Sequence, residues 1–399
     1  VSATVLQRAT ILGGDVVDVR IAGETIDGVA ATITPQPDDD VVDLGGHLLL
    51  ASAVEPHAHL DKAFLAERIE NPTGDLMGAI LAMEAGRHLL DVPDIVERAE
   101  RAARLMASNG YAAVRTHADT TKEHGLRSIE ALLEVKQRVA DVIDVQIVAL
   151  CGWPMTGAGG AANRALMRDA LDAGADVVGG CPHLEGEASA AATDFFLELA
   201  AEFEVPVDLH TDETLDRGAC GLSELARGVL AGFPHGATAS HCVSLGQLPA
   251  EEQRAVAELV AEAGVSVIAL PHTNLFLQGR GAAPMPRGLT AVAALRTAGV
   301  NVAAGADNLQ DPFNPVGRAC PFETAGLMIM SVHDLPAVAW SSVTEAPRRA
   351  LGLPAAAVTP GASADLMAVR AATVREAIAT GPPGRRVWRR GVRIDETER

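Results

Sequence analysis

Two histidines one residue apart, His57 and His59, close the stretch Val54-Glu55-Pro56-His57-Ala58-His59-Leu60-Asp61. Residues two apart in an extended strand face the same way, so this pair presents two imidazoles suited to one metal ion. Chance pairs of this kind are common on surface strands, and the rest of the chain gives this one its meaning. Further ionisable residues recur at or just past the ends of apolar runs: His117, His183, His210 with Glu213 three residues on, His241, His272 and Asp307. Histidine supplies only 12 of the 399 residues, yet seven of the twelve fall at such ends. His57, His59, His210 and Asp307 form the nitrogen and oxygen set expected for a catalytic divalent ion with a position left for water. Each has a plainer reading alone: His210 as a hydrogen-bonded core histidine, Asp307 as a helix cap, Glu213 as a solvated loop charge, His241 as a donor to backbone. Their recurrence at matching ends favours the collective reading.

The elements that must position these residues are legible as an alternation. Apolar runs of strand length cover 48–54, 112–117, 145–150, 176–181, 205–210, 237–241, 265–270 and 300–307. Helical patterns lie between them, such as Ile95, Ala99, Ala102, Ala103 and Met106, ended by Asn109-Gly110, and another from Glu251 to about Gly264. Strands alternating with helices predict a parallel sheet, and eight units predict a closed (β/α)8 TIM barrel with its active site at the strand C-termini. A doubly wound open sheet is the alternative, but no Gly-Xaa-Gly-Xaa-Xaa-Gly turn follows an early strand. Short strands are predicted at 5–6, 18–21 and 31–33, with Gly13-Gly14 and Gly23 as turns, and again at 364–369 and 386–394. The two ends therefore meet in a small β-sandwich. This gives sandwich segments 1–48 and 354–399 around a barrel of 49–353.

Composition narrows the partners. A net charge of −20 and a pI near 5.0 oppose binding to nucleic-acid phosphates. The one dense basic cluster, Arg385, Arg386, Arg389 and Arg390, reads as a solvated terminal strand. No run of about 18 apolar residues predicts a membrane span. The start at Val1 lacks a signal-peptide pattern and reads as trimmed. Five scattered cysteines, odd in number and without a Cys-Xaa-Xaa-Cys pair, fit a reducing cytoplasm. The expected partner is a small molecule.

The chain resembles the amidohydrolase superfamily, and within it the cytosine deaminase branch. The resemblance is carried by 54–61, Val114-Arg115-Thr116-His117-Ala118-Asp119, Pro182-His183-Leu184-Glu185, His210-Thr211-Asp212-Glu213, Ala239-Ser240-His241, Leu277-Gln278-Gly279-Arg280 and Asp307-Asn308, over about 45–320. It implies one divalent ion, Zn2+ or Fe2+, on His57, His59, His210 and Asp307. It also implies proton transfer by Glu213, His241 and Asp307, with hydrolysis of the exocyclic C–NH2 of a nitrogen heterocycle and release of ammonia. A bound ion lowers the pKa of water from 15.7 to roughly 7; Glu213 would protonate the ring nitrogen and His241 would stabilise the tetrahedral charge. Relatives that bridge two metals use a lysine from the fourth strand. This chain has only Lys62, Lys122 and Lys136, none near that strand, which leaves a mononuclear site. His117 with Asp119 reads as a pair supporting the first strand, and Lys62 as the partner of an acidic neighbour.

Substrate contacts are expected from Gly152, Trp153, His183, Asn274, Gln278 and Asn308. Cytosine deaminases carry a glutamine just past strand three, where this chain has Gly152. Loss of such paired contacts can cost roughly 10⁴-fold in discrimination, so the ring is expected to be related to cytosine rather than cytosine itself, with Gly152 opening space for it. Asn308 stands where the branch has a second aspartate. Trp153 could stack on the ring, and 278–280 could close over it. Asp307-Asn308 and His59-Leu60-Asp61-Lys62 also resemble the N-isopropylammelide amidohydrolases, which lack the glutamate matching Glu213. That activity, or a non-catalytic scaffold, is the alternative. The sequence leaves open zinc against iron, a homo-oligomer, and whether 65–91 acts as a lid.

Overall fold

A computed structural model describes residues 3–394; the start at Val1 lies outside them. Eight parallel strands form the central sheet: β1 (Ala53–Ala58), β2 (Tyr111–Thr120), β3 (Asp144–Cys151), β4 (Val177–Gly180), β5 (Val207–Thr211), β6 (Ala237–His241), β7 (Ser266–Ala269) and β8 (Val302–Ala304). Neighbours in sequence are neighbours in the sheet. A parallel bridge between Ala58 and Asp307 joins the last strand's end to the first and closes the (β/α)8 barrel. Short strands suffice because each is buried on both faces, as the apolar runs require.

The helices follow the predicted signals. Val92–Ser108 starts at Asp91, whose carboxylate accepts from the Asp94 amide, and stops at Asn109-Gly110. Gly110 has a φ of +91°, and a Cβ there would lie 2.3 Å from Met367 Sδ, so both backbone and packing demand glycine. Ala250–Ala263 ends at Gly264 in the left-handed region, φ +68°.

The run 48–54 is not one strand. Ser52 interrupts it: Leu48–Ala51 pairs antiparallel with Leu366–Val369 in a second sheet, and Ala53 begins β1. The second sheet also holds Thr4–Thr10, Val16–Ala22, Thr25–Ala30, Asp40–Asp43, Arg386–Arg389 and Val392–Arg393, so the two ends of the chain do meet. Its third strand is Thr25–Ala30 rather than 31–33, because the hairpin turn at Gly23 sets the pairing Ala22↔Thr25 directly after it. Leu6, Val19, Ile21, Ile26, Leu49, Leu366 and Trp388 form this sheet's own core.

The arginine cluster at 385–390 is not a solvated strand. Arg389 is buried and bonds Asp365 Oδ1 at 2.7 Å and Asp144 Oδ2 at 2.6 Å, while Arg385 Nη1 donates to the Asn109 carbonyl at 2.6 Å. These side chains are consumed in seating the small sheet against the barrel, which density of charge in sequence does not reveal. Among the described residues no helix is long and apolar enough to cross a membrane.

Candidate active site at the C-terminal mouth of the barrel

Four side chains far apart in sequence converge at the strand C-termini. His57 Nε2 lies 3.6 Å and His59 Nε2 3.3 Å from the same oxygen of Asp307, and His210 Nε2 is 3.3 Å from His59 Nε2. Asp307 does not cap a helix; its amide donates to the His57 carbonyl at 3.0 Å, and it holds a φ of +65°. A non-glycine residue in this region is uncommon and clusters at functional sites; His241, with φ +69°, is another.

The cluster has the chemistry of a cation site. Both carboxylate oxygens of Asp307 and His57 Nε2 are buried without a hydrogen-bond partner among the described residues, a costly state unless something charged completes it. Burial, with neighbouring imidazoles, pushes His57, His210 and His241 well below the ordinary histidine range, so their rings are neutral and keep a lone pair. Burial would raise Asp307, but His59 and His241 hold it below the ordinary carboxylate value and charged. Neutral imidazoles beside one carboxylate are the donor set of a divalent ion.

A layer beneath orients these donors. His57 Nδ1 lies 2.8 Å from Ser240 Oγ, Ser240 Oγ donates to Asp208 Oδ1 at 2.9 Å, and Arg115 Nη1 donates to Asp208 Oδ2 at 2.9 Å. Arg115 also donates to Gln146 Oε1 through Nε (3.1 Å) and Nη2 (3.0 Å). Glu55 accepts from the Ala306 amide at 3.1 Å and the His57 amide at 3.3 Å, tying β1 to the Asp307 loop. Glu55, Arg115 and Ser240 stand in the stretches that carry the resemblance but have no role assigned from sequence, and Asp208 lies outside those stretches. The signal available was period two: Glu55 and Asp208 each precede a strand-end histidine by two residues and share its face.

His117 and Asp119 do not pair. The His117 ring stacks on His57, with centroids 3.9 Å apart, and its closest carboxylate is Asp208 at 3.8 Å. Asp119 accepts from Lys62 Nζ at 2.7 Å, and Lys62 also bonds Asp61 at 3.3 Å. Strand alternation lets His117 and Asp119 share a face without touching. Burial opposes the charges of this pair; even so, Asp119 and Asp61 raise the Lys62 ammonium, and the same cation takes Asp119 down to about 2.

Glu213, His241 and Asn274 form a second group beside the cluster. Asn274 Nδ2 is 3.3 Å from Glu213 Oε1 and 3.1 Å from His241 Nδ1, and Gln278 Nε2 donates to the Glu213 carbonyl at 3.3 Å. His241 Nδ1 therefore accepts, and its proton sits on Nε2. Burial, reinforced by the Asp307 charge, raises the Glu213 carboxyl well above its ordinary value and favours its protonated form.

Above both groups opens a pocket of about 760 Å³ including its mouth. His59, His210, Glu213, His241 and Asp307 are on its floor, while Gly152, Trp153, His183 and Asn308 line it. His57, Asn274 and Gln278 do not line it; they act one layer back. His183 Nδ1 donates to the His210 carbonyl at 3.1 Å, which leaves Nε2 as an acceptor. The polar ends of Asn308 are already engaged: Nδ2 donates to Asp311 at 2.7 Å and Oδ1 accepts from Thr273 at 3.3 Å. Trp153 is 41% exposed at the rim. Gly152 opens less space than its lack of a side chain suggests, because a Cβ there would meet Thr121 Cγ2 at 3.2 Å. Residues 65–91 contribute a wall through Leu76, Ile80, Met83 and Arg87. Arg280 Nε donates to the Gly74 carbonyl at 2.8 Å and joins that wall to the 278–280 turn.

A closed eight-stranded barrel with a histidine and aspartate cluster at its C-terminal mouth is the architecture of a metal-dependent hydrolase. The chain belongs to the amidohydrolase family, hydrolases acting on carbon–nitrogen bonds, whose model matches residues 65–395. It is 32% identical to a pterin deaminase of Rhizobium rhizogenes over 387 residues, covering 95% of this chain and 88% of the relative. The structure of a 5-methylcytosine deaminase from Klebsiella pneumoniae superposes with a TM-score of 0.89 at 30% identity, covering 99% of this chain and 98% of that one. An N-isopropylammelide isopropylaminohydrolase from Burkholderia multivorans gives 0.85 at 28% identity, with the same coverage.

Proposed function

We propose that the protein is a mononuclear metal-dependent aminohydrolase that converts an exocyclic C–NH2 of a nitrogen heterocycle to C=O and releases ammonia. The observation that carries this reading is the position of Glu213, buried at the pocket floor with Oε1 3.4 Å from His241 Nδ1, where burial favours the protonated form of its carboxyl. A ring amidine resists attack until its ring nitrogen is protonated, and Glu213 is a proton donor set where that nitrogen would lie. The deaminases among the relatives support the same reaction class.

His57, His59, His210 and Asp307 would hold one divalent ion, zinc or iron(II), which when bound supplies hydroxide at neutral pH. Asp307 accepts the proton released from the attacking water on its carboxylate. Glu213 delivers its proton to the ring nitrogen, takes the proton of the new C–OH and passes it to the departing amine, and the proton held by Asp307 then restores Glu213, so that water and the amidine leave as amide and ammonia. His241 Nε2–H donates to the oxygen that gains charge at the tetrahedral carbon. Asn274 holds Glu213 and His241 in register. The acidic net charge and the concave pocket support a small-molecule partner, and five free cysteines support a cytoplasmic location. We keep 1–48 and 354–399 with the small sheet as its proposed segments, the strand Leu48–Ala51 reaching just past the first.

Ammonia release across aminopyrimidines, aminopurines, pterins and aminotriazines tests the proposal, with Glu213→Gln as control. The variant should bind metal as the parent does and lose about 10²–10⁴-fold in kcat. Release of alkylamine from N-alkyl triazines, without ammonia from any ring, would move the assignment to the N-isopropylammelide type.

A further inference from the structure

Asn308 directly follows Asp307 and lines the pocket, and its amide is held at both ends. Nδ2 donates to Asp311 Oδ2 at 2.7 Å and Oδ1 accepts from Thr273 Oγ1 at 3.3 Å, while the Asn308 backbone carbonyl accepts from Asn314 Nδ2 at 3.0 Å. A side-chain amide carries two N–H bonds and two acceptor lone pairs. One of each therefore remains, in places that these neighbours fix.

Asp311 is the neighbour that decides. It is fully buried, and its Oδ1 accepts from the Phe313 amide at 2.9 Å and the Asn314 amide at 3.1 Å. Those bonds close the turn that puts Phe313 on the pocket wall. An asparagine could make the same turn, because one oxygen suffices for it. The second oxygen is what calls for a carboxylate: among the described residues Oδ2 accepts only from Asn308. Burial pushes this carboxyl up to about 6 while Asn308 and the two amides pull it down, so at neutral pH the charged form prevails. A charged carboxylate can only accept, whereas the Thr273 hydroxyl can donate or accept and imposes no direction. Asp311 alone of the two thus dictates that the nitrogen of Asn308 faces it.

We propose that Asp311 is a positioning residue that fixes which end of the Asn308 amide faces which side of the pocket, and so sets the donor–acceptor order of the ring edge the site accepts. This rests on the reading above only in taking a planar amino-heterocycle as the ligand.

The test uses ring isomers that exchange amino and oxo groups, pterin with isopterin and isocytosine with cytosine, in the metal-loaded protein. The members of each pair present different donor–acceptor orders beside the amine. Binding is read by Trp fluorescence and turnover by ammonia release. Asp311→Asn keeps the turn but aims a donor at Asn308, whose amide must reverse. The binding ratio within a pair should then move at least about 10-fold from the parent's, with metal content unchanged. Asn308→Asp sets two carboxylates against each other and should lower the melting temperature. Combining it with Asp311→Asn moves the donor to 311 and the acceptor to 308, which should recover the parent's melt but not its ring preference. The double variant carries the test if Asp311→Asn alone does not fold. A ratio within twofold of the parent's in either variant, or a double variant no more stable than Asn308→Asp, overturns the proposal. A moved ratio without ammonia from any ring sinks the reaction and leaves Asp311 its role. Ammonia with an unmoved ratio does the reverse, and a chain that binds no ring overturns both.

Discussion

Ser240 Oγ sits 2.8 Å from His57 Nδ1, on a strand neither adjacent to β1 nor near it in sequence. The contact settles which nitrogen of His57 faces Asp307. The same hydroxyl donates to Asp208, which Arg115 anchors from below. The chain of contacts crosses the barrel interior from β6 to β5 to β2, so rigid strands rather than loops fix the imidazole.

Ser240→Ala should therefore weaken the ion's hold without unfolding the barrel. Partners one layer behind a ligand are typically worth 10–100-fold in metal affinity. Titration with a competing chelator should show such a loss, with far-UV circular dichroism unchanged. An affinity within about twofold of the parent would mean that His57 needs no second partner to keep its orientation.

Most of this site was legible because its residues announce themselves at strand ends. His57, His59, His210 and Asp307 are ionisable residues terminating apolar runs, and barrel geometry alone brings such ends together. Arg115 and Asp208 were not, since they lie within strands whose hydrophobic pattern they break, and only the closed interior supplies their partners across the barrel. The split at Ser52 was hidden for a different reason. Apolar run length cannot tell one strand in one sheet from two strands in two sheets. The fate of Arg389 was equally hidden, because Asp144 and Asp365 reach it from two separate parts of the chain.

Metal removal gives the second prediction. The purified protein should hold one equivalent of zinc or iron per chain, and chelation should lower its thermal stability, restored on adding the ion back. At a free ion concentration of ~100 times Kd, bound ion contributes about 2.7 kcal/mol. The measurement is elemental analysis beside a melting curve at fixed pH. A chain without stoichiometric metal and with an unchanged melt under chelator would favour the non-catalytic scaffold.

His272 supplies a prediction separate from the metal. Its Nε2 lies 3.1 Å from Thr324 Oγ1, and burial lowers it from the usual 6.5 to about 4, against a small opposing pull from Asp307. The unfolded chain takes up this proton near pH 6.5 and the folded chain only near 4. Between those values the unfolded state binds more protons, so stability falls as pH falls. The full effect is on the order of 3 kcal/mol. His272→Gln removes the titration, and the comparison cancels acid effects shared by both proteins, including any loss of the ion. The variant, less stable at pH 7.5 for want of the ring's packing, should close that gap as pH drops from about 6.5 towards 4. Urea denaturation at half-unit pH steps measures it. A gap constant across that window would mean that the folded protein protonates His272 as readily as the unfolded one, and that burial does not keep the ring neutral.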